Sequence, residues 1–211
     1  MNAASPLHDP PALKVESLEV WRGESRLFAA LGFSLQPGQM ALVTGANGSG
    51  KTTLLRVLAG LTVPIAGSVT WSGTPVHRLE PVARGAIAYQ GHLDGLKKEL
   101  TVAENLAFYK AFWNGQRSGD SLLDRLRLSG CRDRPVRYLS AGQRRRAALG
   151  CMRLRPAKLW LLDEPLTNLD ARGAELVAEW LAEHTAAGGL AVVATHQRSR
   201  LLRSATVEIG L

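Results

Sequence analysis

The sequence predicts an α/β fold, in which a mostly parallel sheet flanked by helices is joined by an N-terminal antiparallel β part and an inserted helical subdomain. Short apolar runs typical of buried strands alternate with segments of helical periodicity over most of the chain. Between residues 95 and 155 this alternation stops, and only helix signals follow one another. We therefore predict an α/β core formed by residues 12–94 and 156–211, with a helical insert at 95–155.

The composition indicates a globular protein with a sizeable core. Of the 211 residues, 45% are hydrophobic and 21% are charged. No run of about 18 apolar residues occurs, so the sequence predicts no membrane-spanning helix. The two cysteines, Cys131 and Cys151, form no Cys-x-x-Cys motif. Their arrangement indicates a reducing compartment and inert thiols, rather than a disulfide framework or a metal site.

The chain is basic, with a formal net charge of +8 and an isoelectric point of about 10.1. Arginines cluster at residues 144–146 and again at Arg198, Arg200 and Arg203. We interpret these residues first as a solvated basic surface and second as a surface close to an anionic membrane leaflet. Nucleic-acid binding comes third because the sequence carries no nucleic-acid-binding motif, and no nucleic-acid partner is predicted.

Strand signals dominate the first part of the chain. Residues 1–11 are polar, contain proline and lack the pattern of a secretion signal, which predicts a short disordered lead. Alternating apolar residues from Leu13 to Val20 predict a first strand that ends near Trp21. Further short strands are predicted at residues 33–36, 40–44, 67–73 and 87–89.

The segment from Gly45 to Thr53 carries the strongest chemical signal, because it fits G-x-x-x-x-G-K-[ST] between a predicted strand and a predicted helix. Its glycines let successive N–H groups point at one anion, and the helix N-terminus adds its positive dipole end. Lys51 can reach the β- and γ-phosphates of ATP, and the Thr52 hydroxyl can ligate Mg²⁺. The predicted nucleotide-binding residues are Gly45, Ala46, Asn47, Gly48, Ser49, Gly50, Lys51, Thr52 and Thr53.

Helix signals follow this segment and fill the insert. The helix after the loop is predicted to carry Leu54, Leu55, Leu58 and Leu61 on one face and to stop at Gly60. In the insert, Thr101 and Glu104 form a capping box that starts a helix, whose apolar face is predicted at Leu106, Tyr109 and Trp113. Asp120 is predicted to cap a second helix, and a third helix is predicted to start near Ser140.

Strand and helix signals alternate again after residue 155. The apolar run at residues 159–162 predicts a buried strand that ends in Asp163 and Glu164, at the carboxyl edge of the sheet beside the phosphate loop. Asp163 offers the hard oxygen ligands that Mg²⁺ prefers. Glu164 suits a general base for the attacking water, a role that contributes about 10²–10⁴-fold. A helix with Val177, Trp180, Leu181 and His184 on one face, a strand at 190–194 and a last short strand at Val207 and Ile209 are predicted beyond it.

The order of three motifs resembles the ATP-binding cassette (ABC) ATPases over most of the chain, from about Leu13 to Val207. These motifs are the phosphate loop, L-S-x-G-Q at residues 139–143, and an apolar strand followed by D-E-P. Ala141 stands where the family signature has its first glycine. The resemblance implies an ABC-type P-loop core and a head-to-tail homodimer in which each signature closes over the nucleotide of the other protomer. The signature residues that would act in trans are Ser140, Ala141, Gly142 and Gln143.

The resemblance also implies roles for residues outside these motifs. Lys51, Glu164 and His196 would form the catalytic set, with His196 as the switch histidine that contacts the γ-phosphate. Asp170 lies in the segment that would cross the dimer interface, and Trp21 lies about where the family stacks an aromatic ring on adenine. The glutamine that senses Mg²⁺ and water in the family is matched either by Gln90 or by His92, which lies nine residues before Thr101. We favour His92 and leave both open.

Finer cues at residues 91–97, 100–108, 139–146 and 159–167 resemble one subfamily, the ATP-binding subunits of the haem exporter of cytochrome c biogenesis. This resemblance implies an ATPase at the cytoplasmic face of the bacterial inner membrane, bound to integral membrane subunits through the region from His92 to Leu100 and the helical insert. A periplasmic haem chaperone would be an indirect partner. No direct haem binding is expected, because the chain has no Cys-x-x-Cys-His motif.

Three alternatives stay open at this point. The first is an ABC ATPase of another exporter or importer, which would share every catalytic residue. The second is a soluble ABC protein of DNA repair or translation, although such proteins usually carry two cassettes or long coiled-coil inserts. The third is a module that closes on ATP without turnover, which the presence of both Glu164 and His196 disfavours.

Overall fold

A computed structural model describes residues 13–115, 119–196 and 205–211. The predicted lead and the arginines at 198, 200 and 203 lie outside these residues, as does the predicted capping side chain of Asp120. The described strands are β1 Leu13–Arg22, β2 Ser25–Leu35, β3 Met40–Thr44, β4 Ala66–Trp71, β5 Thr74–Pro75, β6 Ile87–Gln90, β7 Leu159–Asp163, β8 Leu190–Ala194 and β9 Val207–Gly210. The described helices are α1 Lys51–Leu58, α2 Pro81–Gly85, α3 Val102–Phe112, α4 Gly119–Arg125, α5 Ala141–Arg153 and α6 Ala171–Ala186, with short 3-10 turns at Val76–Arg78, Ser129–Cys131 and Val136–Tyr138.

The strands form two sheets, which confirms the predicted α/β fold with its antiparallel β part. One sheet is antiparallel with the strand order β2-β1-β4-β5, and the other is parallel with the order β6-β7-β8-β3-β9. Helices α3, α4 and α5 lie in the predicted insert, whose boundaries at 95 and 155 stay a prediction. None of the helices in the described ranges is long and apolar enough to cross a bilayer.

The first strand shows why its apolar pattern shifts by one residue. Leu13, Val15, Leu18 and Val20 are all buried, although the spacing changes between Val15 and Leu18. Ser17 has a φ of +45°, and the pairing of β1 with β2 and β4 is irregular there. A bulge of this kind restores the inward direction of the later residues. The sequence pattern revealed only the end of β2, because most of that strand is partly exposed and does not alternate cleanly.

The parallel sheet is buried on both faces, as expected for strands covered by other layers. Alternate residues such as Ala41, Leu161 and Val192 face the antiparallel sheet and α1 in one apolar cluster. Their neighbours, including Leu42, Leu162 and Val193, belong to a second cluster with the helices of the insert and α6. The core therefore has two halves, and the parallel sheet lies between them.

Helix α1 is shorter than its apolar spacing predicts. It ends at Leu58, and Gly60 has a φ of +70° just beyond the end, which confirms the predicted stop. Leu61 was predicted on the buried face of this helix, but its side chain is 56% exposed. The prediction for Leu61 is wrong because the chain leaves the helical path at the glycine.

Helix starts in the insert follow their local capping signals. Thr101 and Ser140 are both N-caps with complete capping boxes, which confirms the two predicted starts. In α3, Leu106 is buried, whereas Trp113 lies at the C-cap rather than on the buried face. Both cysteines are buried and neither forms a disulfide, and burial raises the pKa of Cys151 to about 12. This environment agrees with the predicted inert thiols.

His184 is a buried histidine on the inner face of α6. Its ring stacks on Trp160 with 4.0 Å between centroids, and Nε2 lies 3.2 Å from the carbonyl oxygen of Lys158 and 3.1 Å from that of Leu190. Since both neighbours are acceptors, Nε2 carries the proton of the neutral ring. Burial is the main cause that lowers the pKa of His184 from 6.5 to about 4.

This low pKa predicts an acid-sensitive fold. Between pH 6.5 and pH 4 the unfolded chain binds a proton at His184 that the folded chain does not bind. Stability should therefore fall as the pH falls through this window, with His184 accounting for about 3 kcal/mol. Urea unfolding of the wild type and of His184→Phe at about pH 7 and about pH 4.5 checks this, and the variant should lose less stability on acidification. The exposed His77→Gln variant is the control, and equal losses in all three proteins would contradict the prediction.

Candidate active site

The parallel sheet brings the predicted catalytic segments to one edge. β3 leads into the Gly45 loop, β7 ends at Asp163, and β8 is followed by Thr195 and His196. β8 lies between β7 and β3, with Asp163 opposite Ala194. Since parallel strands end at the same edge of a sheet, segments far apart in sequence converge there.

The phosphate loop has the backbone form that anion binding requires. Gly45, Gly48 and Gly50 all have positive φ values, and Gly50 is the N-cap of α1. Lys51 is only 7% exposed, and its Nζ donates hydrogen bonds to the carbonyl oxygens of Gly45 at 2.8 Å and Ala46 at 3.0 Å. The ammonium group is thus held over the loop, where a phosphate would be a stronger partner.

Two oxygen-bearing side chains meet beside the loop. The Thr52 hydroxyl donates a 2.7 Å hydrogen bond to Oδ2 of Asp163, although the residues are 111 positions apart. Asp163 is buried at the end of its strand. A hydroxyl and a carboxylate in contact are hard oxygen donors of the kind that Mg²⁺ prefers, so these residues fit the predicted metal.

Glu164 and His196 form a second pair at this edge. Oε1 of Glu164 accepts hydrogen bonds of 2.9 Å from the main-chain N–H of His196 and from its Nδ1. Nδ1 must carry the proton in this contact, because the carboxylate only accepts. Glu164 also has a φ of +47°, and its N–H donates to the carbonyl oxygen of Ala194. Glu164 is therefore held at its main chain by Ala194, the last residue of β8, and at its carboxylate by His196, which follows β8.

A cleft of about 190 Å³ opens over the loop. Its lining residues are Arg22, Asn47, Gly48, Gly50, Lys51, Thr52, Thr53, Asp163 and Glu164. The sequence drew attention to Trp21, whose side chain is 39% exposed and whose Nε1 donates to Glu19. Arg22, which lines the cleft, was missed. The only indication in the sequence was that Arg22 is a basic residue at the end of the first predicted strand. Its position beside the phosphate loop depends on how the two sheets pack.

The signature residues lie at the start of α5, and none of them lines the phosphate-loop cleft of the same chain, although Ala141 lines a neighbouring cleft together with Glu164. Ser140 Oγ accepts from the Gln143 N–H at 3.2 Å, and Gln143 Oε1 accepts from the Ser140 N–H at 2.9 Å. A Cβ on Gly142 would lie 2.7 Å from the carbonyl oxygen of Asn168, so this position needs glycine for close approach. Ser140 is exposed, and Ala141 is the first residue of the helix.

Asp170 has a structural role within this chain. It is the N-cap of α6, and its Oδ1 accepts a 2.8 Å hydrogen bond from the Gly173 N–H. Two residues before this cap, the exposed Asn168 has a φ of +64°, and its carbonyl oxygen lies close to Gly142 of the signature helix. The segment predicted to cross a dimer interface is therefore adjacent to the signature.

The two candidates for the water-sensing position differ in environment. Gln90 is the last residue of β6, is buried, and donates from Nε2 to the carbonyl oxygens of Gly91 at 3.4 Å and Leu93 at 3.1 Å. His92 is exposed in the following loop. Both line a cleft of about 420 Å³ between the core and the insert, together with aromatic and basic residues such as Tyr109, Arg56 and Arg155.

Arg145 was predicted to belong to a solvated basic cluster, and for this residue that interpretation is wrong. It is 5% exposed, and Nη2 donates to the carbonyl oxygens of Asp163 at 2.8 Å and Glu164 at 2.9 Å. Nη1 donates to Gly91 at 3.2 Å, and Nε to Pro165 at 3.4 Å. The helical periodicity of α5 was the missed signal, since it turns Arg145 towards the sheet.

The chain matches the family model described as ABC transporter over residues 28–167. It is 43% identical over 200 residues to the cytochrome c biogenesis ATP-binding export protein CcmA of Nitrosococcus oceani, which covers 95% of this chain and 93% of that protein. It is 41% identical over 204 residues to CcmA of Escherichia coli (strain K12), covering 94% of this chain and 96% of that protein.

Solved structures share the fold. An ABC transporter ATP-binding protein from Pyrococcus furiosus superposes with a TM-score of 0.80 at 20% identity, covering 95% of this chain and 97% of that chain. The ADP conformation of an ATP-binding cassette of an ABC transporter gives a TM-score of 0.76 at 23% identity, covering 95% and 87%. At these identities the structural likeness shows the fold alone.

Proposed function

This chain belongs to the ABC transporter family, within the group of cytochrome c biogenesis ATP-binding export proteins, and from this premise we propose that it drives a haem-handling membrane complex in cytochrome c maturation. The observation that carries the proposal is 41–45% identity to proteins of that name over 88–95% of the chain. As an ABC ATPase, the chain binds and hydrolyses ATP. The two carboxylates at the end of β7, those of Asp163 and Glu164, support this chemistry.

ATP phosphates would bind at the loop between β3 and α1. The N–H groups of the loop and the positive end of α1 favour the anion, and Lys51 would exchange its carbonyl partners for the β- and γ-phosphates. Thr52 and Asp163 would hold Mg²⁺, which neutralises phosphate charge when bound. Trp21 would stack on the adenine from its exposed position at the end of β1.

Glu164 would act as the general base for the attacking water. Its Oε1 is fixed by two hydrogen bonds from His196, and the contact through Nδ1 leaves Nε2 of His196 available to approach the γ-phosphate. Because the side chain is already held in one orientation, it loses less conformational entropy when the reaction begins. Gln90 or His92 would complete the water site from the end of β6.

The second half of each site would come from another copy of this chain. Ser140 and Ala141 of the signature are exposed, and no signature residue lines the phosphate-loop cleft of its own chain, so a head-to-tail homodimer would place the signature over the partner's γ-phosphate. Ser140, Ala141, Gly142 and Gln143 would supply polar groups and the helix N-terminus. Asp170 would cross the interface beside them.

The helical insert would connect the ATPase core to the membrane subunits. The cleft of about 420 Å³ lies between the core and the insert, and residues 92–95, the first part of the loop from His92 to Leu100, belong to its lining. Integral membrane partners would dock there, and the chain would then lie at the cytoplasmic face of the bacterial inner membrane. A periplasmic haem chaperone would be an indirect partner, and haem itself need not touch this chain.

A haem stain of covalently attached c-type cytochromes tests the function in host cells that carry Glu164→Gln as their only copy. We expect holo-cytochromes to disappear while the apoproteins are still made and exported. The Glu175→Gln variant makes the same chemical change at an exposed position of α6 that does not line the phosphate-loop cleft, and it should leave the stain unchanged. Normal holo-cytochromes in the Glu164→Gln cells would overturn the cytochrome c assignment and leave an ABC ATPase of another cargo.

A further inference from the structure

Arg145 lies on α5, five residues after the signature serine, and reaches the carbonyl groups around the proposed general base. In the described part of the chain, its hydrogen-bond acceptors are the main-chain oxygens of Gly91, Asp163, Glu164 and Pro165. A guanidinium has five donors in a rigid fork, and this geometry lets one side chain serve several carbonyl groups at once. The residue thus joins three segments: α5, the end of β7 and the loop after β6.

The contact at Nη2 acts on the backbone torsions of Glu164. The carbonyl of Asp163 belongs to the peptide plane before the Glu164 Cα, and the carbonyl of Glu164 belongs to the plane after it. A single nitrogen that is hydrogen-bonded to both oxygens restrains the relative orientation of the two planes, and thereby limits the range of φ and ψ open to Glu164. The side chain of Glu164 leaves the backbone in a direction that those torsions set.

Glu164 needs such a restraint because its φ of +47° is unfavourable for a residue with a side chain. Its N–H is held by Ala194, and its carboxylate by His196. Arg145, on the helix that carries the signature, restrains the carbonyl groups on either side of the Glu164 Cα. Burial lowers the pKa of Arg145, and the nearby carboxylates of Asp94, Asp163 and Glu164 counter part of that effect by favouring the guanidinium cation.

We propose that Arg145 is a positioning residue for ATP hydrolysis, which fixes the carboxylate of Glu164 for attack and ties it to the signature helix and to Gly91. This inference rests on the proposed role of Glu164. It predicts a loss in the chemical step with little change in nucleotide affinity, because Arg145 contacts main-chain groups of the catalytic strand and does not line the phosphate-loop cleft.

The test is steady-state ATP hydrolysis by the membrane complex purified through a tag on this chain, with Arg145→Gln and Arg145→Lys. We expect the Gln variant to lose about 100-fold in kcat, the size of effect that a misplacement of about 1 Å produces. KM for ATP should stay within about threefold. The Lys variant keeps the charge but lacks the fork, and it should recover at most about tenfold of the loss.

Arg153→Gln is the matched control, because Arg153 is a second buried arginine on the same helix, where it pairs with Glu183 and lies over the ring of Trp160, near the start of β7. It should lower the melting temperature and leave kcat within about twofold of the wild type. A drop in kcat for Arg145→Gln larger than for Arg153→Gln, at similar melting temperatures, supports positioning.

The possible failures separate cleanly. If the Glu164→Gln variant hydrolyses ATP at the wild-type rate, Glu164 is not the general base, and the proposed mechanism is overturned with it. An inactive Glu164→Gln together with Arg145 variants that turn over within about twofold of the wild type would overturn the present inference alone. Loss of folding in both Arg145 variants would likewise overturn it, because the residue would then be required for the fold rather than for the step.

Discussion

Replacing Glu164 with glutamine is expected to lower ATP turnover by about 10²–10⁴-fold while ATP binding is retained, because the amide has the shape of the carboxylate but cannot accept the proton of water. The amide oxygen can still accept the two 2.9 Å hydrogen bonds from His196. Phosphate binding should persist, since the loop and Lys51 are unchanged. Steady-state phosphate release and the dissociation constant for ATP, both measured on the purified complex, check the two halves of this prediction.

The matched control is Glu208→Gln, which makes the same change at an exposed position of β9. This variant should hydrolyse ATP at the wild-type rate. Turnover of Glu164→Gln within about tenfold of the wild type would contradict the role of a general base. Loss of ATP affinity together with turnover would instead place Glu164 among the binding groups.

Mixing two inactive variants should restore hydrolysis if each site is shared between two protomers. Lys51→Ala removes the cation over the phosphate loop, and Ser140→Arg blocks the signature, so each homodimer should be inactive. In a mixed dimer, the intact loop of the Ser140→Arg protomer faces the intact signature of the Lys51→Ala protomer. Each mixed dimer keeps one intact site of its two, so a preparation that contains only mixed dimers should show about half of wild-type activity.

The measurement is ATP hydrolysis after the two variants are co-expressed with different tags and purified through both, which selects mixed complexes. Ser140→Arg should fold, because the lost cap costs about 1 kcal/mol. The control is the double variant with both changes in one chain, mixed with itself, which should stay inactive. An inactive mixed complex would contradict a model in which one composite site suffices for turnover.

Local chemistry in the sequence was enough to identify several elements of this protein. The capping boxes at Thr101 and Ser140, the glycines of the phosphate loop and the acidic end of β7 each depend on residues within a few positions of one another. Such signals survive in a single sequence because backbone torsions and helix starts are set by near neighbours. The alternation of strand and helix then sufficed to predict the parallel sheet and its catalytic edge.

Long-range contacts were beyond the sequence. The hydrogen bond between Thr52 and Asp163 spans 111 positions and depends on the register in which β8 pairs with β7 on one side and with β3 on the other. Likewise, the bulge at Ser17 reset the pattern of β1, and the early end of α1 left Leu61 exposed. Register, bulges and helix ends are decided when elements pack, because competing local structures differ little in free energy until apolar surface is buried.

Arg145 shows this division most clearly. Its charge and its neighbours in sequence suggest a solvated surface, since arginine is seldom buried. The packing of α5 against the end of β7 instead surrounds it with carbonyl oxygens from two separate segments, and those partners offset the cost of burying the charge. The sequence alone thus determined which groups could perform phosphate chemistry, and the tertiary structure decided which main-chain groups hold them, because only folding brings distant carbonyl groups within hydrogen-bonding distance of one side chain.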